Sequence, residues 1–87
     1  MSDETLLKFP CEFPIKVLGK AGLEFQATVL SIIRKHVPDL SEGAVSTRHS
    51  ENENYVSVTV TINAQNQEQL DAIYQDLSDH EDVMIAL

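Results

Sequence analysis

Tryptophan is absent from this chain, and cysteine occurs once, at Cys11. A lone thiol closes no internal disulfide and cannot hold an all-cysteine iron–sulfur cluster. Its scarcity suits a reducing compartment. Cations are few as well: six Lys and Arg residues stand against fourteen Asp and Glu, for a formal net charge of -8. Sequence-independent binding to nucleic acid or to an anionic membrane needs a cationic surface, so both are disfavoured as partners. Long apolar runs are missing, whereas a membrane-spanning helix needs about 20 mostly apolar residues. The opening segment MSDETLLKFP is acidic and lacks a basic start followed by an apolar stretch, so it does not read as a secretory signal. There is no internal repeat, linker or low-complexity tract. These absences lead to the expectation of a soluble cytoplasmic protein.

What is present fits one domain. Eighty-seven residues can build a single small core. At roughly 0.05–0.15 kcal/mol per residue, the expected net stability is about 4–13 kcal/mol. Residues 1–8 are mostly polar and charged and are expected to form a flexible N-terminus, leaving 9–87 as the domain.

The stretch YVSVTVTINAQNQEQLDAIYQDL, residues 55–77, switches from a period of two to a period near 3.6. Val56, Val58, Val60 and Ile62 predict the inward face of a strand, with Tyr55, Ser57, Thr59 and Thr61 outward. Asn66 can cap a helix, with Gln69 placed as in a capping box, and Leu70, Ile73, Tyr74 and Leu77 form its apolar stripe. Upstream, Phe13, Ile15 and Val17 alternate with Pro14, Lys16 and Leu18. This predicts a strand over about 12–18, closed by Gly19, with Pro14 tolerable near its end. A helix is expected over about 22–36. Phe25, Val29, Ile32, Ile33 and His36 share one face, and Pro38 stops it. AVSTRHS reads as a short strand, ENEN as a hairpin connection, and VMIAL as a last strand with Val83, Ile85 and Leu87 on one face.

Strand, helix, strand, strand, helix, strand is the order of the split βαβ, or ferredoxin-like, sandwich. The fold class is therefore α+β: a four-stranded antiparallel sheet with two helices on one face. The first and third strands should be central and the second and fourth should be edges. The opposite face, carrying Lys16, Ser57, Thr59 and Thr61, should have no helix over it.

The segments FPCEFPIKVLGKA, HVP, YVSVTVTINAQNQEQLDAIYQDL and DVMIAL resemble the YbeD-like family of small bacterial proteins, over about Leu7 to Leu87. The resemblance implies the same ferredoxin-like fold, with similarity to ACT-type regulatory domains. It brings no catalytic residues to transfer.

Candidate sites are sparse. Cys11 has no histidine near it in sequence, and the adjacent Glu12 would raise a thiol pKa, the wrong direction for a nucleophile. No phosphate-cradling motif is present. His36, His49 and His80 do not have metal-ligand spacing. His36 reads as a core-edge residue bonded to backbone, and His49 and His80 as loop residues. No aromatic platform or basic patch favours RNA. No enzyme activity, cofactor or metal is expected. Gly19, Lys20 and Gly22, between the first strand and helix, could let backbone amides approach an anionic group. ACT-type domains place small effectors near this turn, so the resemblance makes these three a candidate ligand site. Lys16, Ser57, Thr59 and Thr61 form a candidate interface for a protein partner or a second copy of the chain. Two functions follow: a regulatory or adaptor domain acting through protein contacts, or a sensor of a small metabolite such as an amino acid.

Overall fold

Period-two patterning builds the centre of the sheet. In the computed structural model, which describes residues 8–22, 24–40, 42–49 and 54–87, β1 runs over Cys11–Lys20 and β3 over Tyr55–Ala64. They pair antiparallel along their whole length, from Cys11 opposite Ala64 to Lys20 opposite Tyr55. Ile15, Val17, Val56, Val58, Val60 and Ile62 all turn to the same side and are buried. β2, Val45–His49, adds to the outer edge of β3, and β4, Val83–Ala86, adds to that of β1. The sheet order is β2-β3-β1-β4, with the first and third strands central as the sequence pattern predicts.

Both helices lie on the buried side. α1, Phe25–Arg34, buries Phe25, Val29, Ile32 and Ile33, and α2, Gln67–Asp79, buries Leu70, Ile73 and Leu77. Together with the strand residues they make one apolar core, and among the described residues no polar or charged one is buried. Losing one of its large members, for example Ile33→Ala, costs about 2–5 kcal/mol, a large part of the stability of so small a domain.

Several local features depart from the sequence pattern. β1 does not end at Gly19, which is an interior strand residue opposite Val56. Pro14 sits well inside this central strand. The reason it is tolerated lies in β4. Lys16 exchanges both backbone hydrogen bonds with Leu87, at 3.0 and 2.7 Å, so residue 14 turns its nitrogen to the same side. β4 does not reach that far, and the proline occupies what is locally an edge.

α1 begins at Phe25 rather than near Gly22, and Glu24 at its N-cap makes no side-chain capping bond. At the other end the chain tightens, with the His36 and Val37 amides both donating to the Ile33 carbonyl before Pro38. His49 is the last residue of β2, opposite Val56, and not a loop residue. The register of β4 shifts between Leu18 and Gly19: Leu18 faces Ile85, whereas Gly19 faces Val83. This bulge puts Val83 against the core while Ile85 and Leu87 stand on the open face, so the three do not share one side.

The expected flexible N-terminus falls, apart from Lys8, outside the described residues. So does the ENEN connection, apart from Asn54.

Candidate functional site

The sheet face opposite α1 and α2 is laid out in rows across the four strands. One row runs Arg48, Ser57, Leu18, Ile85, and the next runs Ser46, Thr59, Lys16, Leu87. Further along, Thr61 lies opposite Pro14 and Asn63 opposite Glu12. At the other end Tyr55 lies opposite Lys20. The structure thus brings Lys16, Ser57, Thr59 and Thr61 onto one surface, with Lys16 and Thr59 as a direct cross-strand pair.

It also brings apolar side chains onto this face. Ile85 is 47% exposed and Leu87 69% exposed, and Leu18 beside Ile85 is half-buried. With Tyr55 diagonal to Leu18, these side chains make an apolar corner on an otherwise polar face. The alternation Pro14, Lys16, Leu18 already points Leu18 outward. The bulge that frees Ile85 and Leu87 from the core has no counterpart in the sequence pattern.

The glycine turn divides. Lys20 and Gly22 are exposed, and the space in front of Gly22 is open. Gly19 is buried, and a Cβ there would run into the Phe25 ring and the Asp82 carbonyl oxygen. Glycine at 19 is therefore explained by helix-to-strand packing. None of the described glycines has a positive φ. The Ala21 amide donates to the Asn54 carbonyl at 3.0 Å, extending the pairing just past β1.

A broad groove of about 960 Å³ opens at the far end of the sheet, between the segment after α1 and the end of β3. His36, Asp39, Ser46, Thr61, Asn63 and Gln69 are among its walls. β2 begins at Val45, opposite Val60, so Thr61, Ile62 and Asn63 at the end of β3 line this groove instead of pairing with β2.

His36 sits at the rim of the groove. Its partner is a side chain and not backbone: its Nε2 lies 2.7 Å from Asp76 Oδ2 on α2. Both groups are only partly buried. The hydrogen bond from His36 holds the Asp76 carboxyl below its ordinary value near 3.8, against the opposing effect of partial burial. The nearby Lys35 charge adds a smaller push in the same direction. The Gln69 side-chain amide donates to the His36 carbonyl at 3.1 Å, so the two helices are tied at this point twice.

Cys11 is half-buried at the start of β1, opposite Ala64. His80 caps the end of α2, where its Nδ1 accepts from the Asp82 amide at 3.1 Å. Among the described residues no group of three or more His, Cys, Asp or Glu is placed to hold a metal ion. None of their helices is long and apolar enough to cross a membrane.

Comparison with known proteins accords with this architecture. The family model described as "Protein of unknown function (DUF493)" matches residues 4–87. The chain belongs to this family. A UPF0250 protein of Nitrosomonas europaea is 42% identical to this family member over 87 residues, covering 100% of both chains. A UPF0250 protein of Neisseria gonorrhoeae is 45% identical over 83 residues, covering 95% of this chain and 91% of its own. These are YbeD-like bacterial proteins, in line with the resemblance carried by the sequence segments. The solution structure of protein HP0495 from H. pylori aligns with a TM-score of 0.74 at 17% identity, over 99% of this chain and 90% of that one, and shows a shared fold.

Proposed function

We propose that this DUF493 member is a non-catalytic regulatory or adaptor domain of the bacterial cytoplasm, binding another protein through the open face of its sheet. The observation that carries this reading is that face itself. Among the described residues no helix covers this side of the four strands, and an apolar corner of Leu18, Ile85 and Leu87 lies beside Lys16, Ser57, Thr59 and Thr61. An apolar centre with a polar surround is the usual make-up of a moderate protein interface. Exposed edge strands offer main-chain groups as well.

Thr59→Asp tests the reading. An aspartate at 59 would pair with Lys16 across the strands and add a charge to the middle of the face. The expected result is roughly tenfold weaker partner binding with an unchanged melting curve, as for a mispaired charge in an interface. Partner capture that is undiminished by Thr59→Asp would remove this face from the function.

A second reading, an ACT-like sensor of a small metabolite such as an amino acid, is favoured by one observation. Lys20 and Gly22, separated in the chain by Ala21, are both exposed, with open space before Gly22. Amide NMR spectra recorded against a library of amino acids should then show saturable shifts over residues 19–23, and Lys20→Glu should abolish them. Shifts that survive Lys20→Glu would take Lys20 out of the site.

A further inference from the structure

Among the described residues, charge is divided between the two sides of the sheet. The outward positions of the strands carry Lys16, Lys20 and Arg48, three of the six Lys and Arg residues in the whole chain. Glu12 is the one acid among the outward positions of the described strands. The helical side is the reverse: α2 carries Glu68, Asp71, Asp76 and Asp79, while Arg34 and Lys35 stand together at the end of α1. Among the described residues, the only carboxylates within 4.0 Å of a basic group are those beside His36 and His80, so none of the three sheet cations is neutralised in this way.

In a chain of net charge -8, a cationic sheet face with an apolar corner selects its occupant. A second copy docked face to face would set Lys16, Lys20 and Arg48 against their own like charges. A nucleic acid would meet the repulsion of the whole anionic molecule and would find one tyrosine to stack on. A protein segment that brings carboxylates to the three cations and an aliphatic side chain to Leu18 and Ile85 meets both features. Charge complementarity of this kind sets partner choice and association rate, while the apolar contact supplies the central burial.

We infer that the open sheet face, with Lys16, Lys20 and Arg48 around the Leu18–Ile85 corner, recognises an acidic protein segment bearing aliphatic side chains. This rests on the reading of that face as a protein interface. The experiment is site-specific photo-cross-linking of the full chain in bacterial cells, with benzoylphenylalanine in place of Ile85 and, as a control, in place of the exposed Gln75 on α2.

The expected result is an adduct from position 85 and none from 75, with a cross-linked segment that carries net negative charge and aliphatic residues. Its yield should fall roughly tenfold when Lys16→Glu and Arg48→Glu are combined, at unchanged circular dichroism, and should rise with Glu12→Lys. The second variant keeps the test decisive if the double variant does not fold. A neutral or basic segment, a second copy of the chain, or a yield indifferent to these charges would overturn the acidic-partner inference and leave the face as a protein interface. An adduct with nucleic acid, an adduct from 75 alone, or no adduct from 85 would overturn the reading of the face itself.

Discussion

Gly19 shows how one residue can be fixed by packing where its sequence context suggests a turn. It is buried inside β1 beneath the Phe25 ring, and the Asp82 backbone closes the other side. Gly19→Ala should therefore destabilise the domain by about 1–3 kcal/mol, as small-to-large changes in packed sites do, measured by urea denaturation. Gly22, with open space around it, is the internal control, and Gly22→Ala should change stability by less than about 0.5 kcal/mol. Equal effects at the two positions would contradict the packing account.

Asp76 makes a separate prediction at the same scale. Its folded pKa is depressed, chiefly by the His36 hydrogen bond. A depressed carboxyl contributes stability that is present above its unfolded value, near 3.8, and is lost as pH falls through the lower folded one. The stability gap between the native chain and Asp76→Asn should therefore narrow as pH drops below about 4. A gap that stays constant into that range would show that the carboxylate charge is not what matters.

At the scale of the element, the start of α2 illustrates how a local signal is completed by a distant one. Asn66 Oδ1 accepts from the Gln69 amide at 2.8 Å, as a cap should. The reciprocal bond of a capping box would return to the Asn66 amide. Instead Gln69 Oε1 accepts from the Gln65 amide at 2.8 Å, and its side-chain nitrogen reaches the His36 carbonyl. Gln69 thus joins the start of α2 to the end of α1. Asn66→Ala should cost about 1 kcal/mol, the usual worth of a cap. Gln69→Ala should cost a similar amount and also weaken protection both of the amides around Gln65 and of those at the end of α1 around His36, read by hydrogen exchange. A change confined to α2 would argue against the inter-helix tie.

The bulge in β4 belongs to this scale as well. It decides that Ile85 and Leu87 face solvent while Val83 packs against the core. One extra residue in a strand reverses which side the following residues occupy, and periodicity counted along the strand alone carries no sign of it.

For the molecule as a whole, a net charge of -8 on 87 residues is a source of self-repulsion. Screening by salt should therefore stabilise the domain. Adding 0.5 M sodium chloride should raise the melting temperature by roughly 2–4 °C, corresponding to about 0.5 kcal/mol. A fall would mean that attractive charge pairs outweigh the repulsion. The same long-range charge gives the sheet face its contrast with the helical side.

The sequence by itself determined the element order, the central placing of the first and third strands, the core faces of β1, β3 and the two α-helices, and the polar outward face of β3. These follow from periodicities of two and 3.6, which require only that apolar side chains be hidden. It also placed Lys16, Ser57, Thr59 and Thr61 on one surface, because alternation within each strand carries over once the strands pair. Only the tertiary structure decided the rest. The burial of Gly19, the bond between His36 and Asp76, and the tolerance of Pro14 in a central strand all depend on where another element ends or bends. So does the exposure of Ile85 and Leu87, which the bulge in β4 creates. These are contacts between residues far apart in the chain, and local periodicity holds no information about them.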